Sequence, residues 1–295
     1  MTHGESAVQR LTPQQLALRK RTRIVFERTL QYIFLVLCLF LVLFPLYLSI
    51  VNSMKTTQQL LTDYFGLPSG FYLENYKKVL SKANVFLYLG NSVIVTIASA
   101  LGVYFLVPYT SYVIARRMQR YRYFKFLYFF IIIGIFVPFQ AKMLALVKWM
   151  SALGLKNTFG LVLLYWTGAL CQDVFLIVGY IKTIPPDMEE AALIDGCSRV
   201  RMIHRIVYPV IAPMISACLI KDVLWFWNDF QQPLIMLKPS QATLQLFMYN
   251  FRSEYTVDYP VAYAAYFMSM IPVILAYCFM SKKITGGLAE GAVKS

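Results

Sequence analysis

Apolar residues in this chain fall in long unbroken runs, without the short alternation of a half-buried strand or the narrow stripe of an amphipathic surface helix. Six runs are long enough to cross a bilayer: 30–51, 89–113, 126–147, 161–181, 214–237 and 261–280. A span takes about 20 apolar residues. Hydrocarbon offers the backbone no hydrogen-bond partners, so every N–H and C=O must be satisfied within the segment and each run predicts a helix. The ten-residue alternation of an outer-membrane barrel is absent from the sequence. The expectation is an all-α membrane protein with six transmembrane helices.

The polar stretches between the runs divide the chain. Residues 1–28 form an N-terminal tail, and 29–85 hold the first span and a polar, turn-rich segment with Gly66, Pro68, Ser69 and Gly70. Residues 86–281 hold the other five spans with a loop at 184–209, and 282–295 form a C-terminal tail. Thr12-Pro13-Gln14-Gln15 carries a capping-box arrangement, an N-cap Thr with Pro at the first helical position and Gln at N3. A helix running from there into the first span is expected, with a basic topogenic tail as the alternative.

Composition agrees with the pattern. Hydrophobic residues make up 59% of the chain, charged residues only 14%, and the mean hydropathy is +0.58. A soluble domain carries about 25% charged residues, so this chain lacks the charge to cover a soluble globule and its apolar surplus must face lipid. The net charge of +14 does not indicate nucleic-acid binding, because the cations gather at the ends of the apolar runs, as in Arg19-Lys20-Arg21-Thr22-Arg23 and Arg116-Arg117. The tails and the loops 116–125 and 182–208 together hold 18 Lys and Arg, whereas 53–85, 148–159 and 238–260 hold 8. By the positive-inside rule, both termini and the 182–208 loop face the cytoplasm. The chain is expected to cross a membrane several times, with membrane lipid as a partner.

Catalytic and metal chemistry find little in the inventory. Cys38, Cys171, Cys197, Cys218 and Cys278 are scattered without a C-x-x-C pair, which suggests neither a disulfide framework nor a zinc site. His3 and His204 are the only histidines. The sequence has no P-loop for ATP, no H-E-x-x-H and no G-x-S-x-G. The N-terminal apolar run is longer than the core of a secretory signal and lacks a following cleavage site. This inventory leads to the expectation that the chain is not an enzyme and has no cofactor of its own.

The loop carries the sharpest local signal. Pro185-Pro186 suit the first turn of a short helix, and Asp187, Glu189 and Glu190 complement the positive end of its dipole. Gly196 stops it, as the residue that tolerates left-handed backbone after a helix. Ser198 can cap a second short helix reaching through His204 to Tyr208, where Pro209 intervenes. Ala191 and Ala192 leave a face of little bulk, on which another protein can approach closely.

Glu190-Ala191-Ala192, three residues, Gly196, nine residues, Ile206, two residues and Pro209 resemble the EAA signature of binding-protein-dependent ABC importer permeases, with Tyr208 in place of the usual Leu. Trp227-Asn228-Asp229-Phe230 with Pro233-Leu234 resembles a stretch of the carbohydrate-uptake branch, as do Thr243-Leu244 and Ile271-Pro272. The tail Gly287-Leu288-Ala289-Glu290-Gly291-Ala292-Val293-Lys294 is similar to that of the smaller maltose-type permease subunit. The resemblance implies a type I ABC importer permease fold with cytoplasmic coupling helices. It implies ATPase coupling through Glu190, Ala191, Ala192, Asp195, Gly196, Ile206 and Pro209. It further implies a second permease subunit, two ATP-binding cassette subunits that hold ATP and Mg, and an extracytoplasmic sugar-binding protein. The function implied is import of oligosaccharides or related sugars, acidic ones included, by alternating access across a bacterial inner membrane. A secondary transporter or channel for a small polar solute is the rival reading, and it leaves the loop signature without a purpose.

Ionisable residues within or near spans are functional candidates, because an unpaired charge at membrane depth costs several kcal/mol. Lys142, Asp173, Lys221, Asp222 and Asp229 are of this kind. Asp222 and Asp229 are seven residues apart on one face, so with Trp225, Asn228, Lys142 and Lys221 they outline a candidate sugar passage. The alternatives are helix–helix contacts, a brace to the partner subunit, and lysines that snorkel or pair with Asp222 or a partner's acid. Two unpaired lysines would favour an anionic saccharide.

Overall fold

The structure is a computed structural model and describes residues 13–82, 84–254 and 258–292. Helices are the regular elements among these residues, joined by turns and short irregular stretches. The first helix, α1 (Pro13–Ser53), is followed by short α2 (Thr57–Thr62) and α3 (Glu74–Lys82), then α4 (Val85–Arg117). The pair α5 (Arg122–Phe136) and α6 (Phe139–Ala152) precedes α7 (Thr158–Lys182), α8 (Asp187–Ile194) and α9 (Arg199–Met202). A π-helical turn at Ile203–Val207 leads into α10 (Tyr208–Asn228), and α11 (Gln231–Met236), α12 (Leu244–Glu254) and α13 (Tyr259–Ala292) complete the chain. Thr12, the expected cap of α1, lies outside the described residues.

Among the described residues, four stretches are single helices long and apolar enough to cross a membrane: Arg23–Ser53, Val85–Arg117, Thr158–Lys182 and Arg199–Asn228. The expected third span is not one straight helix, because α5 and α6 meet at 105°. Pro138 causes the break. It lacks an amide hydrogen and its ring forces the preceding residue out of the helical region, and Val137 accordingly sits at φ −86°, ψ 108°. Neither half of this broken pair has a buried residue. The apolar window of α1 is likewise unburied, with Ile33, Leu37 and Leu41 turned outward. Both surfaces are therefore apolar faces for lipid or another membrane subunit.

The expected fifth span also departs from the structure, since α10 ends at Asn228. Asp229 accepts the Gln231 N–H on Oδ1 at 2.9 Å and the Tyr165 hydroxyl on Oδ2 at 3.0 Å, which turns the backbone to φ −72°, ψ 132°. Pro209, expected to stop the helix after Ser198, does not stop it. The π-helical turn lets the Tyr208 N–H reach back to Ile203 O, and Pro209 then falls in the first turn of α10, where no N–H is needed.

Helices α4, α7 and α10 form the centre. Val95, Val103, Val107 and Ile114 pack with Leu161, Tyr165, Ile177 and Ile181, and with Ile211, Ile215 and Phe226. Lipid is as apolar as these side chains, so close fit rather than dehydration holds them, and small residues at the crossing matter. At Gly102 a Cβ would come within 2.0 Å of the Trp166 ring, so only glycine admits the indole there. Trp166 Nε1 donates to Ala98 O and Ser99 O at 3.3 and 3.1 Å.

Residues 53–82 pack on the start of α13. Lys55 is fully buried, with Nζ donating to Asp63 O at 2.7 Å and Tyr64 O at 3.3 Å. Asn75 Nδ2 ties the same bend through Ser53 O and Lys55 O at 2.8 and 2.9 Å.

Candidate functional site

Helix α8 is built as its sequence requires. Pro186 O accepts from the N–H groups of Glu189 and Glu190 at 2.9 and 3.1 Å, and Asp187, Glu189 and Glu190 occupy the first turn. At the other end the Cys197 N–H returns to Ala192 O at 3.0 Å and the Gly196 N–H to Leu193 O at 3.1 Å. This nested pair is a Schellman cap, and it needs the left-handed backbone seen at Gly196, φ +79°. A Cβ on Gly196 would meet nothing within 4 Å, so the demand is conformational and not steric. Ser198 Oγ accepts from the Arg201 N–H at 3.4 Å and caps α9.

The helix has two unlike faces. Glu189 and Ala192 are buried against the membrane helices, whereas Glu190, Ala191 and Asp195 are exposed. Ile194 is 85% exposed and Val200 65%, with Met188 and Leu193 also outward, an apolar patch that no described part of this chain covers. Ile206 lies half-buried in the π-helical turn and Pro209 is exposed at the start of α10.

The inner face is bolted to α4. Arg116 donates to Glu189 Oε1 from Nη2 at 2.7 Å and from Nε at 2.9 Å. Tyr112 donates to Glu189 Oε2 at 2.7 Å, and Arg116 Nη2 also reaches Ile184 O at 3.1 Å. In the sequence alone Glu189 has a role only at the helix dipole and Arg116 only in topology. The available signal was the spacing of Glu189 and Ala192, which at three residues share a helix face.

The second feature is a cavity of about 340 Å³ where α5, α6, α7, α10 and α11 converge, with Lys142, Thr167, Gln172, Trp225 and Gln232 in its wall. The Trp225 ring lies over Gly168, where a Cβ would come within 2.6 Å of it. Lys142 makes no ion pair or hydrogen bond among the described residues. Lys221 does: its Nζ lies 2.7 Å from Asp222 Oδ1, 2.8 Å from Asp173 Oδ1 and 3.1 Å from Gln172 Oε1. Both aspartate side chains are wholly buried.

The residues grouped as a passage thus separate. Lys142 and Trp225 stand in the cavity wall, and Lys221 and Asp222 lie behind it, joined to it through Gln172. Asn228 is exposed, with Nδ2 donating to Leu224 O of its own helix at 2.8 Å, and Asp229 caps the end of α10. The pairing of Lys221 with Asp222 is one of the alternatives the sequence left open; the part of Asp173 and Gln172 in it was not legible.

Among the described residues the chain is thus a helical membrane domain with a cavity beside the bent α5–α6 pair and a short capped helix tied to the end of α4. The chain belongs to the binding-protein-dependent transport system inner membrane components, whose family model matches residues 109–282, a stretch that includes the loop, the cavity wall and the charged cluster. It is 39% identical over 267 residues to a multiple sugar-binding transport system permease protein of Streptococcus mutans, covering 90% of this chain and 96% of that one. It is 32% identical over 251 residues to a probable starch degradation products transport system permease protein of Thermoanaerobacterium thermosulfurigenes, covering 85% and 91%. A solved bacterial ABC transporter involved in import of the acidic polysaccharide alginate contains a chain that superposes with a TM-score of 0.77 at 19% identity, over 89% of this chain and 97% of that one; that likeness speaks to the fold. This protein is accordingly a membrane-embedded permease subunit of the ABC importer class.

Proposed function

We propose that the chain is one of two permease subunits of an ATP-driven oligosaccharide importer, which pairs with two ATPase subunits and receives sugar from an extracytoplasmic binding protein. The observation that carries the reading is the Glu189 clamp. It ties the inner face of α8 to α4 while the outer face, with Glu190, Ala191 and Ile194, stays open to a partner. A helix held this way moves with its partner and drags α4 along, which is what alternating access requires. The six-span count and the cytoplasmic side of α8 belong to the same proposal.

Sugar as the class of cargo is supported by the names of the relatives, which include importers of starch products, diacetylchitobiose and melibiose, raffinose and stachyose. The wall chemistry suits it, with an indole face and amide and hydroxyl groups on one cavity. The charges bear on the acidic option. With Lys221 set against Asp173 and Asp222, Lys142 is left as the one cation without a partner among the described residues at the cavity, and the four formal charges cancel. We therefore favour a neutral oligosaccharide, with Lys142 as the group that would receive an acidic substituent.

Purification through a tag on this chain tests the proposal. An ATPase subunit should copurify, and one of a panel of sugars should stimulate ATP hydrolysis once the binding protein is added. Uptake driven by an ion gradient, with no ATPase in the complex, would favour a secondary transporter instead.

A further inference from the structure

A lysine ammonium has three N–H donors and no acceptor. Lys221 Nζ donates to Gln172 Oε1 at 3.1 Å and is ion-paired with Asp222 and Asp173 at 2.7 and 2.8 Å, and the two carboxylates hold it from the buried side. Because the ammonium can only donate, the Gln172 amide must present its carbonyl oxygen to Lys221, which turns its NH2 group away. Gln172 is an exposed residue of the cavity wall, and no acceptor takes that NH2 among the described residues.

We propose that Gln172 is a specificity-determining contact of the cavity, and that its NH2 donates to a hydroxyl, ring or glycosidic oxygen of the sugar. Lys221 is the positioning residue: held by Asp173 and Asp222, it fixes which end of the amide faces the cargo. The buried charges thus set the polarity of one hydrogen-bonding group instead of touching the substrate. Trp225, in the same wall, offers an apolar surface to a sugar ring, so the ring is held by its face and oriented by the amide at its edge. This inference rests on the sugar-importer reading above.

The test uses the whole complex in proteoliposomes with its binding protein, and a panel of maltotriose, raffinose, arabinotriose, diacetylchitobiose and trigalacturonate. The panel member that best drives wild-type uptake serves as the probe. Gln172→Glu keeps an oxygen for Lys221, removes the donor and adds a negative charge beside the ammonium. It should raise the KM of uptake about five- to tenfold with kcat little changed, as loss of one hydrogen bond predicts. Gln172→Met should show the same rise, and it replaces the charged variant if that one fails to assemble. The triple change Lys221→Met, Asp173→Asn, Asp222→Asn removes the ammonium without stranding a charge. The amide can then face either way, and KM should rise about twofold. An unchanged KM in Gln172→Glu would overturn the contact and show that Gln172 only satisfies Lys221. An unchanged KM in the triple variant would overturn the positioning role. Failure of every panel sugar to drive wild-type uptake would overturn the sugar reading and this inference with it.

Discussion

Replacing Gly196 separates conformation from space in a single position. The residue sits at φ +79° with nothing within 4 Å of a would-be Cβ. Any cost of a side chain is therefore backbone strain, about 1–2 kcal/mol for an ordinary L-residue in left-handed backbone. A β-branched residue should cost more, up to about 3 kcal/mol, and asparagine least, because it visits this region readily. A cost of about 2 kcal/mol multiplies the uncapped fraction of α8 by about thirtyfold. An uncapped end frees Ala192 O and Leu193 O and loosens the outer face a partner would grip. Sugar-stimulated ATPase activity and uptake should fall in the order Gly196, Gly196→Asn, Gly196→Ala, Gly196→Val, with the amount of chain in the membrane unchanged. Wild-type uptake by Gly196→Val, or equal loss in Asn and Val variants, would show that the left-handed cap of α8 does not matter for transport.

Other expectations follow from the same contacts. Arg116→Ala leaves Glu189 largely buried without its cation, at a cost of about 2–3 kcal/mol after allowing for partial exposure; Arg116→Ala and Glu189→Ala together should then be less damaging than the sum of the singles, read as thermal stability of the complex in a double-mutant cycle. Lys221→Met strands the buried Asp173 and Asp222 and should cost about 3–5 kcal/mol, seen as loss of assembled complex, whereas Lys142→Met should assemble as wild type; equal stability of both would contradict the ion-pair assignment. Cysteines placed at Ser69 and Gln241 should react with an impermeant reagent from outside and one at Gln119 should not; outside labelling at Gln119 would overturn the both-ends-in topology.

How far the sequence revealed this structure depended on whether the cause was local. Helix α8 was legible because prolines, first-turn acids and a stop glycine act within a few residues, and Gly196 was expected in the left-handed region where the structure has it. Ser198 as the cap of α9 was local in the same way. The bend between α5 and α6 was equally local, since Pro138 lies in the middle of its run, but hydropathy counts a proline among apolar neighbours and hides it. Pro209 misled in the opposite direction, because a π-helical turn absorbs a missing N–H that sequence spacing treats as a stop. The end of α10 depends on Tyr165, 64 positions away, and the Glu189 clamp depends on Arg116, 73 away. Partners at such separations leave no periodic trace in one sequence. Lys221 shows the same limit: its neighbour Asp222 could be considered, but Gln172 and Asp173 come from another helix.

If α8 is where ATP hydrolysis reaches the membrane domain, as proposed, it must touch the ATPase subunit, and a cross-link reads that contact. Ala191 is exposed on the outer face of α8, so Ala191→Cys, in a chain whose native cysteines are replaced by serine, should join to the ATPase subunit through a short bifunctional maleimide in native membranes. A cysteine at Ser69, on the opposite side in this topology, should give no such product. The expected product is one cross-linked species containing this chain and the ATPase subunit, formed at a rate that changes when ATP is added. Absence of that species from Ala191→Cys, in membranes that still import sugar, would contradict it.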